Sequence, residues 1–211
     1  MIRRPHAALA ALLLLVLLAT GCGGLPGSGP APSLYVLTPK NTFPHDLPQV
    51  EGQLVISLPT AGRALQSDRI ALRPIPEEIK YFKGARWISN LPYMVQTLML
   101  ESFENTGKIT SVGREAITLR PDYQLLTEIR EFQADRFSSG PPTANVRLNL
   151  KLIHQPEQRI IAAKTFESRT KAEHNTMKSV IQAFDRALGD TLKDSVSWTL
   201  RRMGRNGSGE E

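Results

Sequence analysis

One thiol stands in the chain. Cys22 is the sole cysteine among 211 residues, which excludes an intramolecular disulfide and a cysteine-based metal site. It follows Ala19, Thr20 and Gly21 at the end of an unbroken apolar run. Small residues before a lone cysteine in that position match a bacterial lipobox, although Ala19 stands where leucine is usual. The motif needs a thiol at a new N-terminus. Diacylglycerol is attached to the sulfur, signal peptidase II cuts before Cys22, and the freed amine is acylated. Three acyl chains exceed the two signals that stable anchoring requires. No other group offers comparable chemistry. His6 belongs to the leader, and His45, His154 and His174 are far apart, with no HxxxH pair. No GxSxG elbow, P-loop or GxGxxG occurs. Glu77 and Glu78 are adjacent, and neighbours on a strand point to opposite faces, so they read as a solvated pair. No catalytic residue, metal or cofactor is expected. Arg69, Arg73, Lys80, Lys83 and Arg86 form a loosely basic stretch that reads as ordinary solvated surface, with an acidic partner or lipid headgroups as the alternative.

The segment that delivers the thiol is a leader. Arg3 and Arg4 precede the apolar run Ala7–Ala19, which has the length of a signal h-region and falls short of the ~20 residues of a bilayer span. Residues 1–21 are therefore expected to be a lipoprotein signal peptide. Residues 22–33 then form a lipidated cysteine and tether. From Gly23 to Ser33 the sequence reads GGLPGSGPAPS. Such a tether has a root-mean-square span of roughly 17–20 Å and at most about 36 Å when extended. Gly23 rather than Asp follows the cysteine, which by analogy with enteric sorting favours the outer membrane. The formal charge of +6 and the 22% of charged residues suit a folded domain and are too diffuse for nucleic acid.

The remaining chain must fold into the tethered body, expected as one domain over 34–203 with a mobile tail at 204–211. Strands are expected at Ser33–Thr38, a short apolar-aromatic run, at Gln53–Leu58, which alternates, at Leu65–Arg73, around Ile70, Ala71 and Leu72, and at Glu78–Lys83, with Gly84 as a hairpin-like turn; their short spacing makes antiparallel pairing the default. Asn90 and Pro92 open a helix that Gly107 stops, and Lys108–Val112 is a short strand. Asp122–Phe137 is a long strand in which Phe132 falls on the opposite parity to Tyr123, Leu125, Thr127 and Ile129, so a bulge or a bend is expected near Arg130. Val146–Leu152 and Arg159–Arg169 complete a meander. A helix from Asn175 to about Arg202 carries the stripe Met177, Val180, Ile181, Phe184, Leu188, Leu192, Val196, Leu200 and Met203, read as covering the sheet. Trp87 and Trp198 read as packing anchors. The fold class is α+β: a mostly antiparallel sheet with a mid-chain helix and a long C-terminal helix packed on one face.

The order of these pieces resembles the ABC-type transport auxiliary lipoprotein family, the PqiC-like lipoproteins. It rests on SLYVL, LVISLP and ALQSDRIALRP, then EIKYFKGARWISNLPYMVQTLML, DYQLLTEIREFQAD, NVRLNLKLI, KTFESRT and a long helix around AFDRAL. The resemblance implies an auxiliary part of an intermembrane lipid transport system. Such systems pair an ABC transporter with an MCE-domain protein that forms a periplasmic tunnel. The lipoprotein is implied to face the periplasm from the outer membrane as a homo-oligomeric ring at the tunnel's end, with no chemistry of its own. Three other classes remain open: a structural or assembly lipoprotein of the envelope, a lipoprotein that itself carries lipid in an apolar cavity, and a periplasmic hydrolase. Mass spectrometry of the mature N-terminus is expected to find an acylated Cys22. An unmodified cysteine, or cleavage elsewhere, overturns the lipoprotein assignment.

Overall fold

The computed structural model describes residues 30–115, 121–155 and 157–207. Its elements follow in order as β1 (Ser33–Tyr35), β2 (Val50–Ile56), β3 (Thr60–Ala61), a 3-10 turn (Arg63–Leu65), β4 (Arg69–Ile75), β5 (Glu78–Trp87), α1 (Leu91–Glu104), β6 (Ile109–Arg114), β7 (Tyr123–Asp135), β8 (Thr143–His154), β9 (Arg159–Lys171) and α2 (Met177–Gly207). The class is α+β. Nine strands form one mixed sheet around β7.

β7 is 13 residues long and pairs with β8 along its whole length, from Tyr123 opposite His154 to Asp135 opposite Thr143. Three short strands share its other edge, each parallel to it. Leu54–Ile56 lies against Tyr123–Leu125, Thr60–Ala61 against Glu128–Ile129, and Ala71–Arg73 against Gln133–Asp135. The segment from β2 to β4 thus tracks β7 in the same direction and breaks twice on the way, first at Ser57–Pro59 and then at the 3-10 turn. At these breaks the sheet forks: β6 adds beyond β2, while β5 and then β1 add beyond β4. The expected antiparallel pairing holds for the β4–β5 hairpin and for the β7–β8–β9 meander, which carry the long registers. It fails for β1, β2 and β3, because a strand between turns need not pair with its sequence neighbour when a longer strand offers a full ladder.

The expected bulge is present. The β7–β8 register shifts between Ile129 and Glu131, which leaves Arg130 as the extra, exposed residue. Before the bulge, Tyr123, Leu125, Thr127 and Ile129 face the core; after it, Phe132 and Ala134 do. Two local expectations are corrected. Leu65 belongs to the 3-10 turn, and the third strand starts only at Arg69. The hairpin turns at Pro76-Glu77, with no break at Gly84. Gly84 instead lies inside β5 with φ +66°, in an irregular stretch where the β4–β5 register jumps from Arg69–Arg86 to Ala71–Tyr81. A glycine takes that left-handed conformation without strain.

Asn90 precedes α1 without a side-chain cap bond, and Pro92 occupies the first turn. The Leu91 N–H donates instead to the Ser67 carbonyl at 3.0 Å. Gly107, at φ +61°, ends the turn that follows the helix. α2 runs five residues past the expected Arg202, to Gly207. Its stripe faces the sheet as expected, and a second row the pattern did not single out, Ala183, Ala187, Thr191, Ser195 and Thr199, is as deeply buried. These residues recur every fourth position with small side chains, so the helix backbone approaches the sheet closely. Their hydroxyls are satisfied within the helix: Thr191 Oγ1 donates to the Ala187 carbonyl at 2.8 Å, and Thr199 Oγ1 to the Ser195 carbonyl at 2.8 Å.

Three aromatics join sheet and helix. Trp87 of β5 stands edge-on to Phe132 of β7 (5.9 Å between centroids) and to Phe184 of α2 (5.3 Å), while Phe132 and Phe184 stack at 5.3 Å with 10° between their planes. All three are almost wholly buried. The bulge at Arg130 is what turns Phe132 into this cluster. Phe132→Ala is expected to cost about 3–5 kcal/mol of stability, measured by urea unfolding of the full chain.

Candidate functional site

After the bulge, the outward face of β7 presents Glu131, Gln133 and Asp135, and the neighbouring strands answer with cations and amides. Asn145 and Arg147 of β8 lie opposite Gln133 and Glu131, Arg169 of β9 lies opposite Asn145, and Arg73 of β4 lies opposite Asp135. Arg73 donates to both Asp135 oxygens, from Nε at 2.8 Å and Nη2 at 3.0 Å, and reaches Glu131 at 3.1 Å. Arg169 donates to Asp135 Oδ2 at 3.1 Å, and Arg147 to Glu131 Oε1 at 2.5 Å. Gln133 donates to Glu131 and, at 3.3 Å, to Asp135 Oδ1. The Asp135 side chain is only 2% exposed. Its hydrogen bond holds the Arg73 guanidinium above its ordinary value, against the opposing pull of burial, so Arg73 remains a cation at any physiological pH.

Each carboxylate oxygen of Asp135 is therefore already occupied by donors. A general base needs a free lone pair aimed at substrate, and Asp135 spends its oxygens on these donors. It ties four strands, β4, β7, β8 and β9, across the outer face. The signal that could have revealed it is the polar parity of Glu131, Gln133 and Asp135 once the bulge resets the alternation, matched by Asn145 and Arg147 on the cleanest strand of the sequence.

The other residues singled out from the sequence do not converge. In the basic stretch, Arg73 is spent in this network, Arg86 pairs with Asp68 at 2.7 Å, Lys80 pairs with Glu78 at 2.8 Å, and Arg69 lies 3.6 Å over the Tyr81 ring. Three of its five cations are thus paired with carboxylates of this chain, while Arg69 stacks on a neutral ring. The same Lys80 bond accounts for Glu78, and Glu77 sits exposed in the hairpin turn. His154 contacts Glu157 and lies 5.1 Å from the Tyr123 ring. His45 lines an open surface groove beside Asn41 and Leu47. Among the described residues no cluster of His, Cys, Asp and Glu could hold a metal. Cys22 and the lipobox residues Ala19, Thr20 and Gly21 lie outside the described residues.

Two open cavities of about 370 Å³ share Leu58 and Thr60; one continues over Leu126, Glu128 and Asn149, the other toward Asn90, Pro92 and Tyr93. Neither contains a histidine or a paired carboxylate. A larger groove of about 450 Å³ separates β9 from the C-terminal half of α2. Phe166 and Trp198 meet edge-on in it at 5.6 Å, and Lys164 lies 5.1 Å over the Phe166 ring. Trp198 is thus an anchor that stays half exposed, whereas Trp87 is enclosed.

A forked mixed sheet and two helices that share its core define the described body. Over residues 35–194 it matches the model of the family described as the ABC-type transport auxiliary lipoprotein component. The chain belongs to this family. It is also similar to a crystal structure of XCC0632 from Xanthomonas campestris, of the DUF330 family, at 33% identity and TM-score 0.78 over 84% of this chain and 99% of the other. The hypothetical protein CT253 of Chlamydia trachomatis shares the fold at TM-score 0.50 and 7% identity, over 72% of this chain and 98% of the other. An uncharacterized protein of Bradyrhizobium diazoefficiens, bll6063, is 27% identical over 176 residues, which are 82% of this chain and 47% of that protein. The chain thus spans about half the length of that curated relative. Among the described residues of this family member, no helix is long and apolar enough to cross a membrane.

Removing Asp135 should leave Arg73 and Arg169 facing a buried void. Asp135→Ala is expected to cost about 3 kcal/mol, and the double variant Arg73→Met, Asp135→Leu clearly less, because both buried charges then disappear together. Denaturant unfolding of the three proteins checks this.

Proposed function

We propose that this auxiliary lipoprotein is a non-catalytic component of an MCE-type ABC intermembrane phospholipid transport system. It is anchored by an acylated Cys22 in the outer membrane, faces the periplasm, and serves as a docking collar, assembled as a homo-oligomeric ring, for the distal end of an MCE-domain tunnel. The observation that carries the reading is the family match over residues 35–194.

The physical features are consistent with that role. A tether of eleven residues holds the body within about 36 Å of its membrane, so any cross-envelope action needs a longer partner. The energy for transport comes from the ATPase of the transporter, and this chain contributes position. The lipid-carrying alternative requires the α2 stripe to line a cavity. Here Phe184, Leu188, Leu192, Val196 and Leu200 are wholly buried in the same core as the inner sheet residues Leu125, Leu148 and Leu150, which favours a fitting over a carrier. Among the described residues, neither cavity beside Leu58 and Thr60 is lined by a histidine or by two carboxylates, which counts against the hydrolase alternative.

Analytical ultracentrifugation of the detergent-solubilised full chain, with and without the MCE-domain protein of the same organism, tests the proposal. A discrete oligomer that co-sediments with the tunnel protein is expected. A strict monomer that never binds it overturns the reading.

A further inference from the structure

β9 is an edge strand. Among the described residues it pairs only with β8, and its second side carries no ladder partner along 13 residues. Proteins usually blunt such an edge with proline, bulges or charge. β9 contains no proline, and its one register shift lies at the start, between Ile160 and Ala162; from Ala162 to Lys171 the ladder to β8 is regular. Only charge guards it.

That charge has a sign. The groove between β9 and α2 opens directly beside this edge. Its rim carries Lys164 of β9 and Arg201, Arg202 and Arg205 of α2, against Glu167 and Asp194. Arg201 also pairs with Asp46 at 2.9 Å. Phe166 and Trp198 supply the apolar floor. A strand added to β9 would hydrogen-bond through its main chain. Every second side chain would point to the groove side of the sheet, where Lys164 and Phe166 lie.

We propose that the β9 edge and this groove accept, by strand addition, an extended acidic segment of a partner protein in which acidic and apolar residues alternate. The same lysine and arginines that repel indiscriminate pairing select for such a segment. They disfavour pairing with the outer strand β6 of a second copy, which is flanked by Lys108 and carries Arg114 with no acidic residue between them, and the outer strand β1 is only three residues long. The surface and the charge that select the segment are the same whether or not the partner is an MCE-domain protein.

The test uses the full chain in detergent and an end-blocked peptide of about twelve residues alternating Glu with Val and Thr, with a Lys-for-Glu peptide as control. The acidic peptide is expected to change the fluorescence of the half-exposed Trp198 and to protect the amides of 162–171 from hydrogen exchange. Lys164→Glu with Arg202→Glu, both on exposed residues, should weaken binding about tenfold or more. The Lys peptide should not bind. Equal binding of both peptides, protection confined to other strands, or no binding up to about millimolar peptide overturns the proposal. So does protection of 162–171 that rises with protein concentration alone, which would make a second copy the occupant. Anionic phosphatidylglycerol vesicles that compete fully with the peptide, and bind with a dependence on Lys164 and Arg202 equal to its own, would assign the groove to membrane and overturn it as well.

Discussion

A single long strand must serve two unequal neighbours. β7 gives one edge entirely to β8 and divides the other among three short parallel strands, so its conformation sets the geometry of every other strand. The bulge at Arg130 makes that possible. One extra residue resets the inside–outside alternation, sending Phe132 inward to Trp87 and Phe184 and placing Glu131, Gln133 and Asp135 outward. The aromatic cluster and the ion network are thus two faces of one irregularity. A β7 without the bulge would put Phe132 in water and Glu131 against α2, and burying an unpaired carboxylate there would cost far more than the bulge itself.

The two faces hold the fork closed in different ways. On the inner face, apolar surface does the work: α2 presents Phe184, Leu188 and Leu192 beside a ridge of alanine, serine and threonine, and the small ridge lets the large residues reach the sheet. On the outer face, β4 diverges from β7 just beyond Arg73, and the paired hydrogen bonds of Arg73 to Asp135 hold the last matched position. Such a buried pair contributes little net energy compared with apolar packing, but it tolerates no other register. The network therefore specifies where β4 docks, while the core supplies the stability.

How much of this was legible in the sequence follows from the range of the interactions. The longer strands, both helices, the stripe of α2 and the bulge were legible because each is a periodicity within one segment, whereas β3 and the 3-10 turn are too short to show one. Phe132 betrayed the bulge by parity alone. The parallel docking of β2, β3 and β4 on β7 was not legible, since nothing local distinguishes a strand that pairs with its successor from one that pairs with a strand seventy residues on. Gly84 misled for a related reason: glycine marks a positive φ, and a positive φ serves a bulge within a strand as readily as a turn between two. The ion network needed that same non-local register before Arg73 could be matched to Asp135. As for the functional residues, Cys22 is an expectation drawn from a linear motif and lies outside the described residues, whereas the groove beside Trp198 exists only once α2 lies against β9.

The shape of the covering layer carries the last step. A helix lying on a sheet buries side chains of one face, and it cannot satisfy the backbone donors and acceptors of the outermost strand, which point within the plane of the sheet. α2 shields the inner side of β9 at Phe166, yet it leaves that row of amides and carbonyls facing outward. The ion network ends at Arg169 on the same strand and likewise adds nothing beyond the edge. A long, regular and cationic strand edge without a ladder partner among the described residues is a place where another chain can continue the sheet. The working surface is then a backbone ladder selected by charge, and a lipid anchor, where present, restricts the search for that second chain to a shell about one tether deep.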